Sequence, residues 1–191
     1  ASTEPQFFEN SAAIAYMDAM LNQSTDIDSV YVAFADGSFR MSLRMRPGTR
    51  IRDYAPDEAA TLAHRWLDRR GKGDAMDKYV FFDAQRLSRG AYDAPAVYDP
   101  RLRPWFKEAV AAGGQTTISD PYVYATTGRV GFTIAVPFYA SGSLAGVVAA
   151  DLTLDSLSQF LASRPVSKGS LTMILDQQQR IVTHPDPAQS T

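Results

Sequence analysis

Cysteine is absent from this 191-residue chain, and histidine occurs only at His64 and His184. The missing thiols exclude disulfide bonds, thiol catalysis and zinc–thiolate sites. The two histidines lie far apart and no HExxH-like spacing is present, so both are predicted to be structural or surface residues. We therefore expect no metal site, no cofactor and no catalytic residues.

The chain also lacks a basic excess and a long apolar run. Its 19 basic residues stand against 21 acidic ones, whereas a nucleic-acid surface normally carries a clear basic excess, so no nucleic-acid partner is expected. No apolar run approaches the ~20 residues that span a bilayer. The chain starts at Ala1 without a signal-like segment, and we expect an excised soluble piece of something larger. With 45% apolar and 21% charged residues it can bury a core.

An unusual group of side chains occupies residues 98–106, which read Tyr-Asp-Pro-Arg-Leu-Arg-Pro-Trp-Phe. Asp99 followed by a proline predicts a short turn to Leu102, and Pro104 predicts the first turn of a helix that ends at Gly113. A helix N-terminus favours an anion through its dipole and its free N–H groups. Three side chains are predicted to lie there: Arg103, Trp105 and Phe106. Alternatively, the two aromatic residues are core and the arginines are solvated or paired.

Hydrophobic periodicity divides the rest of the chain into an α+β order. Asp36-Gly37 between two alternating runs predicts a hairpin over Ile27–Leu43. Apolar residues on one face predict a helix over residues 5–22, with the stripe Phe7, Ile14, Met17 and Leu21. A second helix is predicted from Pro56 to Gly71, because acidic residues open that segment and arginines close it.

The later predicted elements include three strands in meander order with helices on both sides, which predicts an antiparallel sheet covered by helices. They are strands over Lys78–Phe82, Thr116–Tyr124, Val130–Tyr139 and Leu144–Leu152, a loop over Gly90–Val97, a helix over Leu154–Leu161, and a hairpin formed by Leu171–Leu175 and Arg180–Thr183.

One carboxylate ends an otherwise apolar strand face. The side chains of Val147, Ala149 and Asp151 point the same way, because side chains alternate along a strand. A buried carboxylate needs a cation or several hydrogen-bond donors. Arg103 is one candidate partner, a ligand ammonium group is another, and a purely structural role of Asp151 is the third alternative.

These motifs together resemble a double Cache domain, the extracytoplasmic sensor domain of bacterial transmembrane receptors. The resemblance covers Asp26 to about Ser163, and its strongest parts are the Tyr98–Phe106 stretch and the strand Gly146–Asp151, with Ser119–Tyr122 and Thr127-Gly128 in support. It implies a PAS-like antiparallel sheet flanked by helices, preceded by a long N-terminal helix and followed by the start of a second PAS-like module.

The resemblance also implies a domain organisation and a location. It implies a stalk helix over residues 1–24, a membrane-distal Cache module over 25–153, and a connector helix with the beginning of a membrane-proximal module over 154–191. The whole protein would be membrane-anchored, with this part periplasmic. Its output domain would be a histidine kinase of a two-component system, a diguanylate or adenylate cyclase, or a chemoreceptor tail. A homodimer through the N-terminal helix is expected, and the fragment itself is expected to be no enzyme.

In the amino-acid-binding branch of that family, the distal module holds the ligand. The residues at the matching positions are Tyr98, Arg103, Trp105, Phe106 and Asp151, with Tyr122 on the facing strand, and Tyr124 completes the predicted ligand-binding set. The resemblance implies that Arg103 holds a carboxylate, with help from the Tyr98 hydroxyl and the Trp105 indole. Asp151 would hold an ammonium group, and aromatic faces would add about 0.5–2 kcal/mol of cation–π attraction. The sequence departs from the pattern twice: Phe106 replaces a tyrosine that often helps, and Tyr124 replaces an acid found in many amine binders.

Three functions stay open from the sequence. The first is a ligand-sensing module for an amino acid, an amine or a small carboxylate, whose binding shifts the connector helix. The second is a ligand-free structural or dimerisation module in which Arg103 and Asp151 form a direct ion pair. The third is a hydrolase that uses carboxylates such as Asp99, Asp120 and Asp151, although no supporting group is evident for it. The sequence favours the first.

Overall fold

The computed structural model describes residues 11–71, 74–167, 170–175 and 179–186. The elements in chain order are α1 Ser11–Gln23, β1 Ser29–Phe34, β2 Phe39–Arg44, β3 Leu62–Leu67, β4 Met76–Phe82, β5 Ser88–Pro95, a 3-10 turn Pro100–Leu102, α2 Pro104–Ala111, β6 Thr117–Ile118, β7 Tyr122–Val123, β8 Val130–Ala140, β9 Ser143–Thr153, α3 Leu154–Ser163, β10 Ile174–Leu175 and β11 Ile181–Thr183. The first helix was predicted over residues 5–22, and residues 5–10 of it, including Phe7 of the apolar stripe, lie outside the described part.

Nine strands of the described chain form one antiparallel sheet, in the order β5-β4-β3-β2-β1-β9-β8-β6, with β7 also paired to β8. Strands β1 and β9 lie next to each other at its centre although they are more than 100 residues apart in sequence. In their register Ser29 lies opposite Asp151. The predicted α+β class, an antiparallel sheet flanked by helices, is confirmed.

The two faces of the sheet carry different helices because the side chains of β1 alternate. Tyr31 and Ala33 belong to the core that includes Trp105 and Phe106 of α2. Val30 points the other way and joins a second cluster, which contains Met17 and Leu21 of α1. The candidate site described below lies on the α2 face.

The predicted helix over residues 56–71 is wrong, because Leu62–Leu67 forms strand β3 between β2 and β4. Ala63, Arg65 and Leu67 alternate on the core face and are at most 1% exposed. Asp57 does accept a backbone hydrogen bond from Ala59, but in a tight turn before the strand. Pairing with two neighbouring strands therefore outweighs the helix-like charge pattern at the ends of the segment.

The predicted loop over Gly90–Val97 is also wrong for most of its length. Residues Ser88–Pro95 form β5, which pairs with β4 at the edge of the sheet. Glycine and proline are unfavourable inside a central strand, but an edge strand tolerates both because one side of its backbone needs no partner.

The other predicted elements are confirmed where the structure describes them, although β10 begins only at Ile174 and not at Leu171. The Asp36-Gly37 hairpin joins β1 to β2, Asp120-Pro121 separates β6 from β7, and β8 pairs with β9 along its whole length. Strands β10 and β11 form the second predicted hairpin, whose residues 176–178 lie outside the described part. Across the described residues, no helix combines the length and the apolar character that a membrane crossing requires.

Candidate ligand-binding site

The carboxylate of Asp151 lies at the centre of the candidate site and is only 5% exposed. Oδ1 accepts hydrogen bonds from the Tyr31 hydroxyl at 2.7 Å and the Thr133 hydroxyl at 2.6 Å, and Oδ2 accepts one from Ser29 Oγ at 2.7 Å. The donors come from both neighbouring strands, because Ser29 on β1 and Thr133 on β8 lie opposite Asp151 in register. Strand alternation thus places hydroxyl groups around a carboxylate that ends an apolar face.

Burial raises the pKa of Asp151 to about 6, against the lowering effect of its three hydroxyl donors. Among the described residues no arginine, lysine or histidine forms an ion pair with it. A buried carboxylate without a cation is electrostatically incomplete, because hydrogen bonds from neutral hydroxyls compensate only part of its lost hydration.

Arg103 lies at the start of α2, where Pro104 occupies the first helical position. Its guanidinium donates to the carbonyl of Val123 at 3.2 Å and lies 5.6 Å above the ring of Tyr122. The side chain is half-buried and has no carboxylate partner among the described residues. The preceding 3-10 turn is capped by Asp99, whose side chain accepts the backbone N–H of Arg101, as the sequence predicts.

Trp105 and Phe106 are buried at 2% and 6% exposure. The Trp105 ring meets Tyr31 edge-on at 5.0 Å, so α2 is anchored to the same strand that donates to Asp151. Phe106 packs 5.6 Å from Trp105 in the core. Both aromatic residues are therefore part of the core, as one interpretation of the sequence predicted. Trp105 also lines the cavity described below.

The segment from β7 to β8 forms the opposite wall. The Tyr122 hydroxyl lies 2.6 Å from Thr133 Oγ1, and because Thr133 donates to Asp151, Tyr122 donates to Thr133. The Tyr124 hydroxyl lies 2.7 and 2.9 Å from the carbonyl oxygens of Phe132 and Leu152. Tyr124 is thus tied to both central strands beside the site, and burial raises the pKa of its hydroxyl.

One cavity brings together six of the seven predicted residues, all except Phe106. Its lining consists of Tyr31, Phe39, Met41, Tyr98, Arg103, Trp105, Tyr122, Tyr124, Ala125, Thr126 and Asp151. The volume of the cavity is about 20 Å³, which is room for about one water molecule. An amino acid can therefore enter only if part of this wall moves outward.

Arg65, which is absent from the residues predicted for the site, is 1% exposed and lies directly behind the cavity wall. Its guanidinium makes two parallel hydrogen bonds of 2.8 Å to Asp77 and donates to Thr126 Oγ1 at 2.9 Å. It lies 4.3 Å from the ring centre of Tyr98. Burial lowers the pKa of Arg65, but the bonds to Asp77 outweigh that effect and the net shift is upward. Alternation of Ala63, Arg65 and Leu67 was the signal that could have revealed it.

A second buried carboxylate, Asp28, connects the site to α3. It accepts hydrogen bonds from the backbone N–H and the hydroxyl of Thr153 at 3.0 and 2.7 Å, and from Ser156 Oγ at 2.7 Å. Arg46 Nε also donates to the Asp28 carboxylate, at 2.8 Å. Burial acts to raise the pKa of Asp28, but these donors lower it overall. Asp28 immediately precedes Ser29, the first residue of β1, so two adjacent residues hold the cavity carboxylate and the first turn of α3.

The other carboxylates named for hydrolysis are not in the cavity. Asp99 caps its turn and pairs with Arg101 at 2.7 Å, and Asp120 is exposed; neither lines the cavity that contains Asp151. No group of three or more His, Asp or Glu side chains within the described ranges has an arrangement that could hold a metal ion.

The chain matches one protein family over residues 13–159, described as "Methyl-accepting chemotaxis protein-like, first PDC sensor domain". Adenylate cyclase 1 of Rhizobium meliloti is 29% identical over 174 residues, covering 91% of this chain and 26% of that protein. The chemotaxis protein PctB of Pseudomonas aeruginosa is 35% identical over 141 residues, covering 74% of this chain and 22% of that protein. The chain thus spans about a quarter of the length of these relatives.

Solved structures with the same fold come from chemoreceptors. The ligand-binding domain of CtaA from Pseudomonas fluorescens, in complex with L-serine, superimposes with a TM-score of 0.53 at 24% identity, covering 95% of this chain and 58% of that one. The PctB domain in complex with L-Gln gives 0.54 at 23% identity, covering 95% and 55%. At these identities the likeness establishes the fold.

Proposed function

The chain belongs to the family of first PDC sensor domains of methyl-accepting chemotaxis protein-like receptors, and we propose that its cavity binds an α-amino acid. It is a Cache sensor domain of a bacterial receptor. The observation that carries the ligand proposal is one cavity lined by two charged groups that have no ion-pair partner among the described residues, the carboxylate of Asp151 and the guanidinium of Arg103.

A zwitterion satisfies both groups at once. Arg103 presents a planar fork of N–H donors that suits a carboxylate, and Asp151 accepts hydrogen bonds from an ammonium group. Neutralisation of a buried carboxylate by a bound cation is favourable because that carboxylate is already desolvated. The aromatic faces of Trp105 and Tyr122 add cation–π attraction to the ammonium end. An amine or a simple carboxylate would satisfy only one of the two charges.

Ligand entry requires displacement of the wall formed by residues 122–125, because Arg65 holds the following residue, Thr126, in place. Arg103 contacts this wall through the Val123 carbonyl and the Tyr122 ring, so an Arg103 side chain that turns toward a ligand carboxylate loosens both contacts. Ligand capture and wall opening are then coupled, because the same side chain serves both.

We propose that binding is transmitted to α3, the connector between the distal module at 25–153 and a second module beginning within 154–191. Asp151 and Thr153 belong to β9, and they are held by Ser29, the first residue of β1, and by Asp28, which precedes it. An ammonium group that withdraws Asp151 from Ser29 shifts this pair of strands and the first turn of α3. Signalling then biases a two-state arrangement of the modules.

The remaining parts of the proposal concern the whole protein. We place the domain in the periplasm, on a membrane-anchored receptor whose output is a chemoreceptor tail, a cyclase or a kinase. We also propose that residues 1–24 form a stalk that pairs with a second copy. The outward side of α1 suits such a contact, because it exposes small side chains and Tyr16, which is 62% exposed.

A thermal-shift screen of the 191-residue chain against the twenty L-amino acids, small amines and small carboxylates tests the ligand proposal. A ligand at about 100 times its dissociation constant adds roughly 2.7 kcal/mol to the free energy of unfolding, which is readily measured. We expect an amino acid to stabilise the wild type and Arg103→Ala to abolish the shift. If no compound stabilises the chain, the ligand proposal fails and the module is a ligand-free structural unit, which agrees with its small cavity.

A further inference from the structure

Thr126 lies between a fully buried arginine and the cavity, and we propose that its hydroxyl is an oriented donor to the ligand's carboxylate, with Arg65 as the residue that positions it. This inference rests on the proposed amino-acid function. It adds a binding residue outside the set that the family resemblance implies.

The direction of the Thr126 hydroxyl follows from its partner. A guanidinium can only donate hydrogen bonds, so in the 2.9 Å contact with Arg65 Nη1 the Thr126 oxygen must be the acceptor. Its own proton is then directed away from Arg65. In the part of the chain that the structure describes, that proton has no acceptor. Because Thr126 is 7% exposed and lines the cavity, the proton is available to a molecule bound there.

Arg65 fixes this orientation rigidly. Two hydrogen bonds of 2.8 Å hold the guanidinium to Asp77, and a further bond of 2.8 Å from Arg52 holds Asp77. The rings of Phe39 and Tyr98 lie 5.0 and 4.3 Å from the guanidinium carbon. A cation confined in this way cannot follow a moving hydroxyl, so Thr126 keeps its position relative to the Tyr98 ring that lines the same cavity.

The chemistry favours an anionic acceptor. A hydroxyl that accepts from a guanidinium is polarised and donates more strongly, and such chains of hydrogen bonds reinforce each other in a low-dielectric interior. The buried group formed by Arg52, Arg65 and Asp77 carries a net charge of +1, since two guanidiniums share one carboxylate. On this charge balance we assign Thr126, together with Arg103, to the ligand carboxylate and Asp151 to the ligand ammonium group.

Three variants of the 191-residue chain test the inference by titration calorimetry. The first probe is whichever L-amino acid gives the largest thermal shift with the wild type, and the second is its carboxamide. Thr126→Val keeps the side-chain shape and removes the donor, whereas Thr126→Ser keeps the donor. Thr117→Val is the matched control, because the Thr117 hydroxyl bonds the Ala135 carbonyl on an edge strand outside the cavity lining.

We expect Thr126→Val to weaken amino-acid binding at least tenfold and carboxamide binding at most threefold, because only the carboxylate gains a charge-assisted bond from Thr126. Thr126→Ser and Thr117→Val should remain within threefold of the wild type for both probes. Equal losses for the two probes, or no loss with Thr126→Val, would show that Thr126 is only structural. If the wild type binds none of the amino acids, the proposed function itself fails, which is a distinguishable result.

Discussion

The hydroxyl of Tyr31 donates to the carboxylate of Asp151 over 2.7 Å, although the two residues are 120 positions apart in sequence. The same tyrosine ring packs edge-on against Trp105 of α2. One side chain of the central strand β1 therefore joins the proposed ammonium acceptor to the helix that carries Arg103. The two charged ends of the proposed site are held by one rigid element, which favours a ligand of fixed length between its charges.

The raised pKa of Asp151 predicts how stability depends on pH. Its pKa of about 6 in the folded chain lies above the ordinary 3.8, so the folded state binds the proton more tightly than the unfolded state does. The resulting stabilisation is complete below about pH 4 and is lost as pH rises through 6. Between pH 7.5 and 4.5 the ligand-free wild type should gain about 2 kcal/mol relative to Asp151→Asn.

Chemical denaturation of both chains at several pH values measures this difference. The asparagine variant is the reference because its side chain does not titrate and other acidic groups cancel in the comparison. A difference between the two unfolding free energies that stays flat over this range would mean that the Asp151 carboxylate is already ionised at pH 4.5.

Ligand affinity should depend on pH in the opposite sense. An ammonium group binds the ionised carboxylate, so binding must expel the proton from Asp151 whenever the pH lies below about 6. The dissociation constant for an amino acid should be constant above pH 7 and should rise about tenfold for each unit below 6. Calorimetry at pH 5.0 and 7.5 checks this prediction, and an affinity that improves on acidification would exclude ammonium recognition by Asp151.

Arg103→Ala should abolish amino-acid binding with little effect on folding. The Arg103 guanidinium is half-buried and makes one hydrogen bond of 3.2 Å, to Val123, so its removal should lower the unfolding free energy by no more than about 1 kcal/mol. Arg101→Ala is the matched control on the preceding turn, because Arg101 pairs with Asp99 outside the cavity lining. The thermal midpoint and the thermal shift with ligand separate the two effects. Equal loss of binding in both variants would mean that the turn, and not the Arg103 charge, is required.

Gly131→Ala should destabilise the site wall. A Cβ atom at position 131 would lie 2.3 Å from both the Tyr124 hydroxyl and the Leu152 carbonyl oxygen, so Tyr124 must leave its place between β8 and β9. Overpacking of this kind typically costs about 1–3 kcal/mol, a fall in thermal midpoint of roughly 2–12 °C for a chain of this size. Gly71→Ala, where the added Cβ meets nothing within 4 Å, should change the midpoint little. A wild-type midpoint for Gly131→Ala would show that both the Tyr124 side chain and the β9 backbone at Leu152 can move without cost.

The sequence was sufficient for the elements with strong local signals. Asp36-Gly37 predicted its hairpin and Pro104 predicted the start of α2, because turn and cap chemistry depends on a few adjacent residues. It failed for β3, where a buried charged residue, Arg65, interrupts the apolar alternation and is acceptable only because Asp77 on the next strand pairs with it. The alternation of Ala63, Arg65 and Leu67 was a local signal for the strand, but the pairing with Asp77 that makes a buried arginine acceptable there has no local signal. The same error therefore hid both the strand and the Arg65–Thr126 contact.

The candidate site, too, could be predicted from the sequence only in part. Residue types and the family resemblance indicated Arg103 and Asp151, and the structure brings both to one cavity. Neither the residue types nor the resemblance indicated that hydroxyls of Ser29, Tyr31 and Thr133 would donate hydrogen bonds to the Asp151 carboxylate. These contacts depend on the register of three strands. That register is set by the packing of whole sheet faces.

Titration calorimetry with three matched compounds tests the central claim most directly: an L-amino acid, the amine left after loss of its carboxylate, and the acid left after loss of its amine. The account predicts that the wild-type chain binds the amino acid at least 100-fold more tightly than either half, because Arg103 and Asp151 each require a charged partner. It also predicts that Asp151→Asn removes the advantage over the acid. An acid that binds the wild type as tightly as the amino acid would contradict ammonium recognition, and with it the zwitterion site.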